Sequence, residues 1–182
     1  MKLRLDLHTH CYEATHYKKP PTIDIVRQIV AAAKKRRLDG IAVTEHYDKD
    51  FGYMVKRIVE EQLDGEIIII PGWEIQKGAV DVVQLDLADG IRFNFMAHPG
   101  CPRHAKHYDS NEIEGLHGIE IKNHMHAHEI DEENAKRLAE DYNLITLQNS
   151  DAHDLADIGY YCNEIDLQDL LARVKQTGAS AT

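Results

Sequence analysis

Twelve histidines in 182 residues, against eight tyrosines and three phenylalanines, are not scattered. His8 and His10 stand two apart where the alternating apolar stretch Leu3-Arg4-Leu5-Asp6-Leu7 runs out. In a strand, residues i and i+2 share a face, so both imidazoles aim at one point. Asp151 and His153 repeat that spacing after apolar residues 144–147. Glu45-His46 follows residues 40–44, Glu74 follows residues 66–70, and His98 follows residues 91–97. His16 and His128 complete the candidates. Imidazoles mixed with a few carboxylates suit zinc, manganese or iron better than magnesium or calcium, which prefer oxygen shells. These donors exceed the needs of one ion; at roughly four per ion, with a shared carboxylate, they predict two or three divalent metals. Such a centre would attract a phosphate and stabilise charge developing on its oxygens. Any one histidine at a strand end is most simply a satisfied polar residue. It is the coincidence at successive strand ends that points to a metal centre.

The elements that must position these groups alternate. Strands are predicted over 3–7, 40–44, 66–70, 80–87, 91–97, 117–122, 144–147 and 160–165. Helices are predicted over 22–38, 53–63, 131–142 and 167–175; the first has Thr22 as its N-cap and Ile23, Val26, Ile29, Val30 and Ala33 at helical spacing. Residues 101–116 are polar and irregular and read as a mobile loop, and 177–182 as a flexible tail. There is no low-complexity linker, repeat or break in composition, so a single domain over 1–182 is expected. Strands alternating with helices or long loops argue for an α/β fold with a mainly parallel sheet, open or barrel-like. In α/β barrels the working residues gather at the C-terminal ends of the strands.

The formal net charge of −10 argues against a protein that grips a nucleic-acid backbone. No apolar run approaches the ~20 residues of a membrane span, and the start of the chain acquires charge too soon for a signal peptide. The default expectation is cytoplasmic. Cys11, Cys101 and Cys162 are too few for a disulfide framework and form no paired zinc motif.

Five motifs, in order, resemble those of the PHP (polymerase and histidinol phosphatase) family. They are Asp6-Leu7-His8-Thr9-His10, Thr44-Glu45-His46, Pro71-Gly72-Trp73-Glu74, Ala97-His98-Pro99-Gly100 and Ser150-Asp151-Ala152-His153. The resemblance spans residues 5–159. It implies a distorted (β/α)7 barrel, TIM-barrel-like, with a trinuclear metal cleft at the C-terminal strand ends. It also implies the ligand sets: His8, His10, Glu74 and Asp151 on one metal; Glu74, His98 and His128 on a second; His16, His46 and His153 on a third. His128 lies eight residues after Glu120, a spacing expected of trinuclear members, and His126 and His124 compete for its place. Two departures stand out. Glu45 replaces the family's usual Asp, and the chain is short, with no cap domain, which implies a shallow, open pocket.

The expected activity is hydrolysis of a small phosphate ester by attack of a metal-bridging hydroxide. Glu74, Asp151 and His153 are the candidate catalytic residues, with a protonated Asp151 or a nearby histidine assisting the leaving group. Arg103 is the candidate phosphate clamp, since its planar fork suits phosphate. Lys18, Lys19 and Lys122 are weaker candidates, and His104 and His107 either face the substrate or have no role. Three readings compete: a metal-dependent hydrolase of a C–N or C–O bond, a nuclease-type phosphodiesterase, and a non-catalytic metal-binding module. The expected partner is a small phosphorylated substrate, with nucleic acid and membrane disfavoured.

Overall fold

A computed structural model describes residues 1–100, Tyr108 and residues 110–179. Strand β1 (Leu3–Asp6) pairs in parallel with β2 (Gly40–Val43), Leu5 opposite Gly40. β2 pairs in parallel with the first half of β3 (Ile68–Lys77). β4 (Val80–Asp86) runs antiparallel to both β3 and β5 (Arg92–Met96). β6 (Gly118–Asn123) and β7 (Ile145–Asn149) continue in parallel from β5. β8 (Asn163–Ile165) lies antiparallel on the free side of β1. The sheet order is therefore β7-β6-β5-β4-β3-β2-β1-β8.

Side chains and one bridge bring the two ends of this sheet together. Thr9 forms an isolated parallel bridge with Ala152. The Asn163 amide accepts from Gln148 N at 2.9 Å and donates towards Gln148 O, Asn149 Oδ1 and Leu5 O. The result is the expected distorted, TIM-barrel-like α/β fold. Its distortion lies in β4 and β8, the strands that oppose their neighbours.

Alternation fills the barrel. Leu5, Ala42, Ile70, Val83, Leu85, Phe93, Phe95 and Leu147 pack inside it, while Ile41, Val43 and Ile69 face the surrounding helices. α2 (Ile23–Lys35) is capped by Thr22, which accepts from Ile25 N, and buries Ile25, Val26, Ile29, Val30 and Ala33. α6 (Leu167–Ala179) packs Leu167, Leu170 and Val174 onto the inner core beside Leu3 and Ile68, closing the N-terminal end of the barrel.

The structure departs from the predicted elements in five places. α1 (Cys11–Ala14) is a single turn with too few residues to show a period. α3 (Lys49–Gln62) begins four residues before its predicted start, with Asp48 capping Asp50 N. Gly52 had disguised that first turn, because glycine weakens an isolated helix. Here a Cβ at Gly52 would lie 3.0 Å from Val43 O and 3.3 Å from Pro71 Cα, so the residue admits a close helix–strand approach. β3 runs through Pro71-Gly72 where the sequence suggested an end, because it changes partner there: Pro71 still pairs with Val43 of β2, and Gly72 with Leu85 of β4. Of the loop predicted over 101–116, residues 101–107 and 109 lie outside the described residues, and Ser110–Ile113 form α4. α5 (Glu132–Asp141) matches its prediction, while the predicted tail from 177 is helical to Ala179.

Candidate metal centre

Glu74 sits at the point where β3 has outrun β2, and its carboxylate is buried over the C-terminal end of the barrel. Glu74 Oε2 lies 3.3 Å from His8 Nε2, 3.2 Å from His10 Nε2 and 3.2 Å from His46 Nδ1. Its other oxygen lies 2.9 Å from His98 Nε2. Asp151 arrives from beyond β7, where its amide donates to His8 O at 2.9 Å. Asp151 Oδ1 lies 3.0 Å from His10 Nε2, 3.5 Å from His8 Nε2 and 3.6 Å from His153 Nδ1. Asp151 Oδ2 lies 3.6 Å from His126 Nε2 and 3.8 Å from His98 Nε2. His98 (φ 28°) and Asp151 (φ 54°) both hold left-handed backbone, which costs a non-glycine residue of order 1 kcal/mol or more. That strain is accepted where two donors must be aimed at one place.

The ring nitrogens surround these carboxylates without pairing to all of them. Glu74 Oε2 and Asp151 Oδ1 are buried, yet none of their contacts among the described residues has hydrogen-bond geometry. His8 Nε2 and His10 Nε2 lie 3.1 Å apart. Donors that crowd one another while pointing past one another fit a shared cation better than a hydrogen-bond network.

A further layer fixes the rings. Glu120 is fully buried and accepts from His8 Nδ1 (3.0 Å), Asn149 Nδ2 (2.8 Å), His98 N (2.8 Å) and Asn123 Nδ2 (2.9 Å). A carboxylate can only accept, so His8 carries its proton on Nδ1 and presents Nε2 to the centre. His153 Nδ1 donates to Asp151 O at 2.9 Å, and His126 Nδ1 to Glu129 at 2.5 Å, with the same effect. Asp6 ties β1 to this region by accepting from Ser150 Oγ, Ser150 N and Gly159 N.

The electrostatics follow from burial and crowding. Burial alone would lower the His8 pKa, but Asp151, Glu74 and Glu120 hold it well above its ordinary value. His10 behaves likewise, opposed by burial but raised by Asp151 and Glu74 to about 9. Burial pushes Asp151 and Glu74 up, yet the neighbouring histidines bring both below the usual carboxylate range. So held, both groups stand as carboxylates among these rings. The pocket around His8, His10 and His98 favours positive charge, whereas burial lowers the pKa of His46 at the mouth.

Three groups of donors have their ligand atoms within 4.8 Å of one another and correspond to the expected division. The first is His8, His10, Glu74 and Asp151, as the sequence grouped them. The second joins His98 and Asp151 to His126. His128 is exposed and stands outside it, because Asn123 Oδ1 receives His126 N at 2.9 Å and turns that residue inward instead. The third gathers His10, Glu13, His46 and His153. His16 is exposed and stands outside this one; Glu13, brought round by the single turn of α1, occupies the expected place. A fourth grouping adds Asp81 of β4 to Glu74 and His98. Glu13 and Asp81 were not selected from the sequence, His126 stood there as a competitor of His128, and Glu120 served only as a spacing mark. Arg103, His104 and His107 lie outside the described residues, and Lys19 is bound to Asp48 at 2.6 Å.

Residues 129–177 match the family model of the PHP-associated C-terminal region. That match supports the resemblance of this chain to PHP proteins. Solved structures share the fold of this chain. PsfC from Pseudomonas syringae is 21% identical, with a TM-score of 0.65 over 92% of this chain and 87% of its own. A candidate metal-dependent phosphoesterase from Bifidobacterium adolescentis is 12% identical, with a TM-score of 0.68 over 93% of this chain and 96% of its own. An amidohydrolase from Chromobacterium violaceum, with bound sulfate and no metal, is 14% identical, with a TM-score of 0.57 over 93% and 96%. No curated protein matches the sequence. No helix among the described residues is long and apolar enough to cross a membrane.

Proposed function

We propose that this PHP protein is a metal-dependent phosphoesterase that hydrolyses a small phosphate ester. The observation that carries the reading is the pair of shared carboxylates, Glu74 and Asp151, ringed by imidazole nitrogens and lacking hydrogen-bond geometry at Glu74 Oε2 and Asp151 Oδ1. His8, His10, Glu74 and Asp151 would hold one ion, His98 and His126 with a shared carboxylate a second, and Glu13, His46 and His153 a third. The nitrogen-rich, partly carboxylate set suits zinc, manganese or iron. Bound ions of that kind supply Lewis acidity and a water nucleophile near neutral pH.

The chain's own residues do the rest. Glu120, the Asp151 carbonyl and Glu129 lock the orientation of His8, His153 and His126. The barrel core beneath, including Phe95 with its ring 6.2 Å from that of His8, keeps bulk water from the inner set. A low-dielectric floor strengthens every charge interaction above it. The sulfate in the amidohydrolase relative has the tetrahedral oxyanion shape of a phosphoryl group, which supports a phosphate ester as the substrate. The name of that same relative is the reason to keep hydrolysis of a C–N or C–O bond as the second reading.

The test is phosphate release from a panel of mono- and diesters by the chain reconstituted with zinc, manganese or iron. Turnover of at least one ester, abolished by Glu74→Gln, is expected. Turnover of an amide or lactone with no ester hydrolysed would overturn the phosphoesterase reading.

A further inference from the structure

A cavity of about 560 Å³ adjoins the centre, within the range of small-molecule sites. Glu74 and His46 contribute to its wall, so it opens beside the reacting position. The remaining wall is Tyr47, Trp73, Ile75, Gln76 and Asp81. Two of these are aromatic, and each is held in a particular way. Trp73 is pinned: its indole Nε1 donates to His46 O at 3.0 Å, and the Lys49 ammonium stands 6.0 Å from its ring. Tyr47 is 86% exposed although it adjoins the buried centre, with its ring 5.7 Å from that of His46. An aromatic side chain left in water beside a fixed indole offers a flat, partly apolar cleft. Such rings supply contact area at little cost in side-chain entropy.

We propose that this cleft is the leaving-group subsite and that it takes a planar ring, so that the substrate is an aryl or heteroaryl phosphate ester and not a polyol phosphate. The inference rests on the phosphoesterase reading and adds the class of group esterified. A polyol would require several hydrogen-bonding partners, and beyond the residues grouped in the centre, Asp81 among them, the wall offers Gln76. A planar ring needs aromatic contact, and Tyr47 and Trp73 are the two aromatic side chains of this wall.

The chain contains a single tryptophan, Trp73, which makes it a reporter of its own subsite. The experiment titrates metal-reconstituted protein with phenylphosphonate and with methylphosphonate, following Trp73 fluorescence. In parallel it compares kcat/KM for phenyl phosphate and glycerol phosphate. Phenylphosphonate should change the emission and bind about tenfold more tightly than methylphosphonate, the scale of one aromatic contact with its buried area. Tyr47→Ala should lower the aryl-to-polyol ratio of kcat/KM through KM, with metal content unchanged. Equal binding of the two phosphonates with equal turnover of both esters would overturn the subsite and leave the phosphoesterase reading standing. Selective phenylphosphonate binding without turnover of any ester would do the reverse. Neither binding nor turnover would remove both.

Discussion

The inner and outer donor sets of this centre are built differently. His8, His10, Glu74 and Asp151 are all no more than 3% exposed, and His8 is held from behind by a buried carboxylate. The outer set shares His10 but otherwise lies at the mouth, with side chains of His46, His153 and Glu13 32%, 27% and 19% exposed. Its rings each stack on that of His10 at 4.3 Å, but among the described residues the hydrogen bond given for His153 is to a main-chain carbonyl. Burial and backing make the inner set pre-organised, whereas the outer set depends on a one-turn helix and two loop ends. In the proposed centre the inner set would hold its ion rigidly, and the outer set would exchange its ion with solvent.

The sharpest way to break this contrast is to remove a shared donor. Glu74→Gln should lower phosphate release by about 10³-fold or more and empty more than one metal position, since Glu74 touches both sets. Metal analysis beside the assay checks it; loss of activity with full metal content would show that sharing is wrong. Glu120 is itself no proposed ligand, yet Glu120→Ala leaves His8 without its partner and should reduce metal affinity or activity by about 10–100-fold. Titration with a metal indicator would measure this. At the mouth, Glu13→Gln should weaken the outer ion alone, visible as one weaker step in the same titration. His16→Ala and His128→Ala should stay within about twofold of the parent in activity, as exposed positions usually do. A large loss in either would return the ligand role to the residue first expected. The smallest effect on chemistry belongs to the barrel seam. Asn163→Ala should cost about 1–3 kcal/mol of stability in a denaturant melt, because it strips partners from Gln148 and Leu5, while the metal steps stay in place.

The same contrast explains what could be read from the sequence. The inner set was legible because its spacing is set by regular structure. His8 and His10 are two apart, Asp151 and His153 likewise, and both pairs follow apolar strands. Glu74 was legible by type even though Pro71-Gly72 concealed the strand that carries it. The outer and peripheral donors depend on turns, which leave no period. Glu13 is turned inward by a helix of four residues, and His126 by one hydrogen bond to Asn123. Spacing favoured His16 and His128 over them. Glu120 served in the sequence only as a spacing mark, and its role emerges only when β7 and the end of β5 bring Asn149 and His98 against it. The barrel was foreseeable from alternation, but its closure by the side chain of Asn163 was not.

The most direct measurement is the metal content of purified wild-type chain and of Glu74→Gln after reconstitution and removal of free ion. About two to three divalent ions per chain are expected in the wild type, with more than one lost in the variant. Less than about one ion in the wild type, or equal occupancy in both, would contradict a shared centre organised on Glu74.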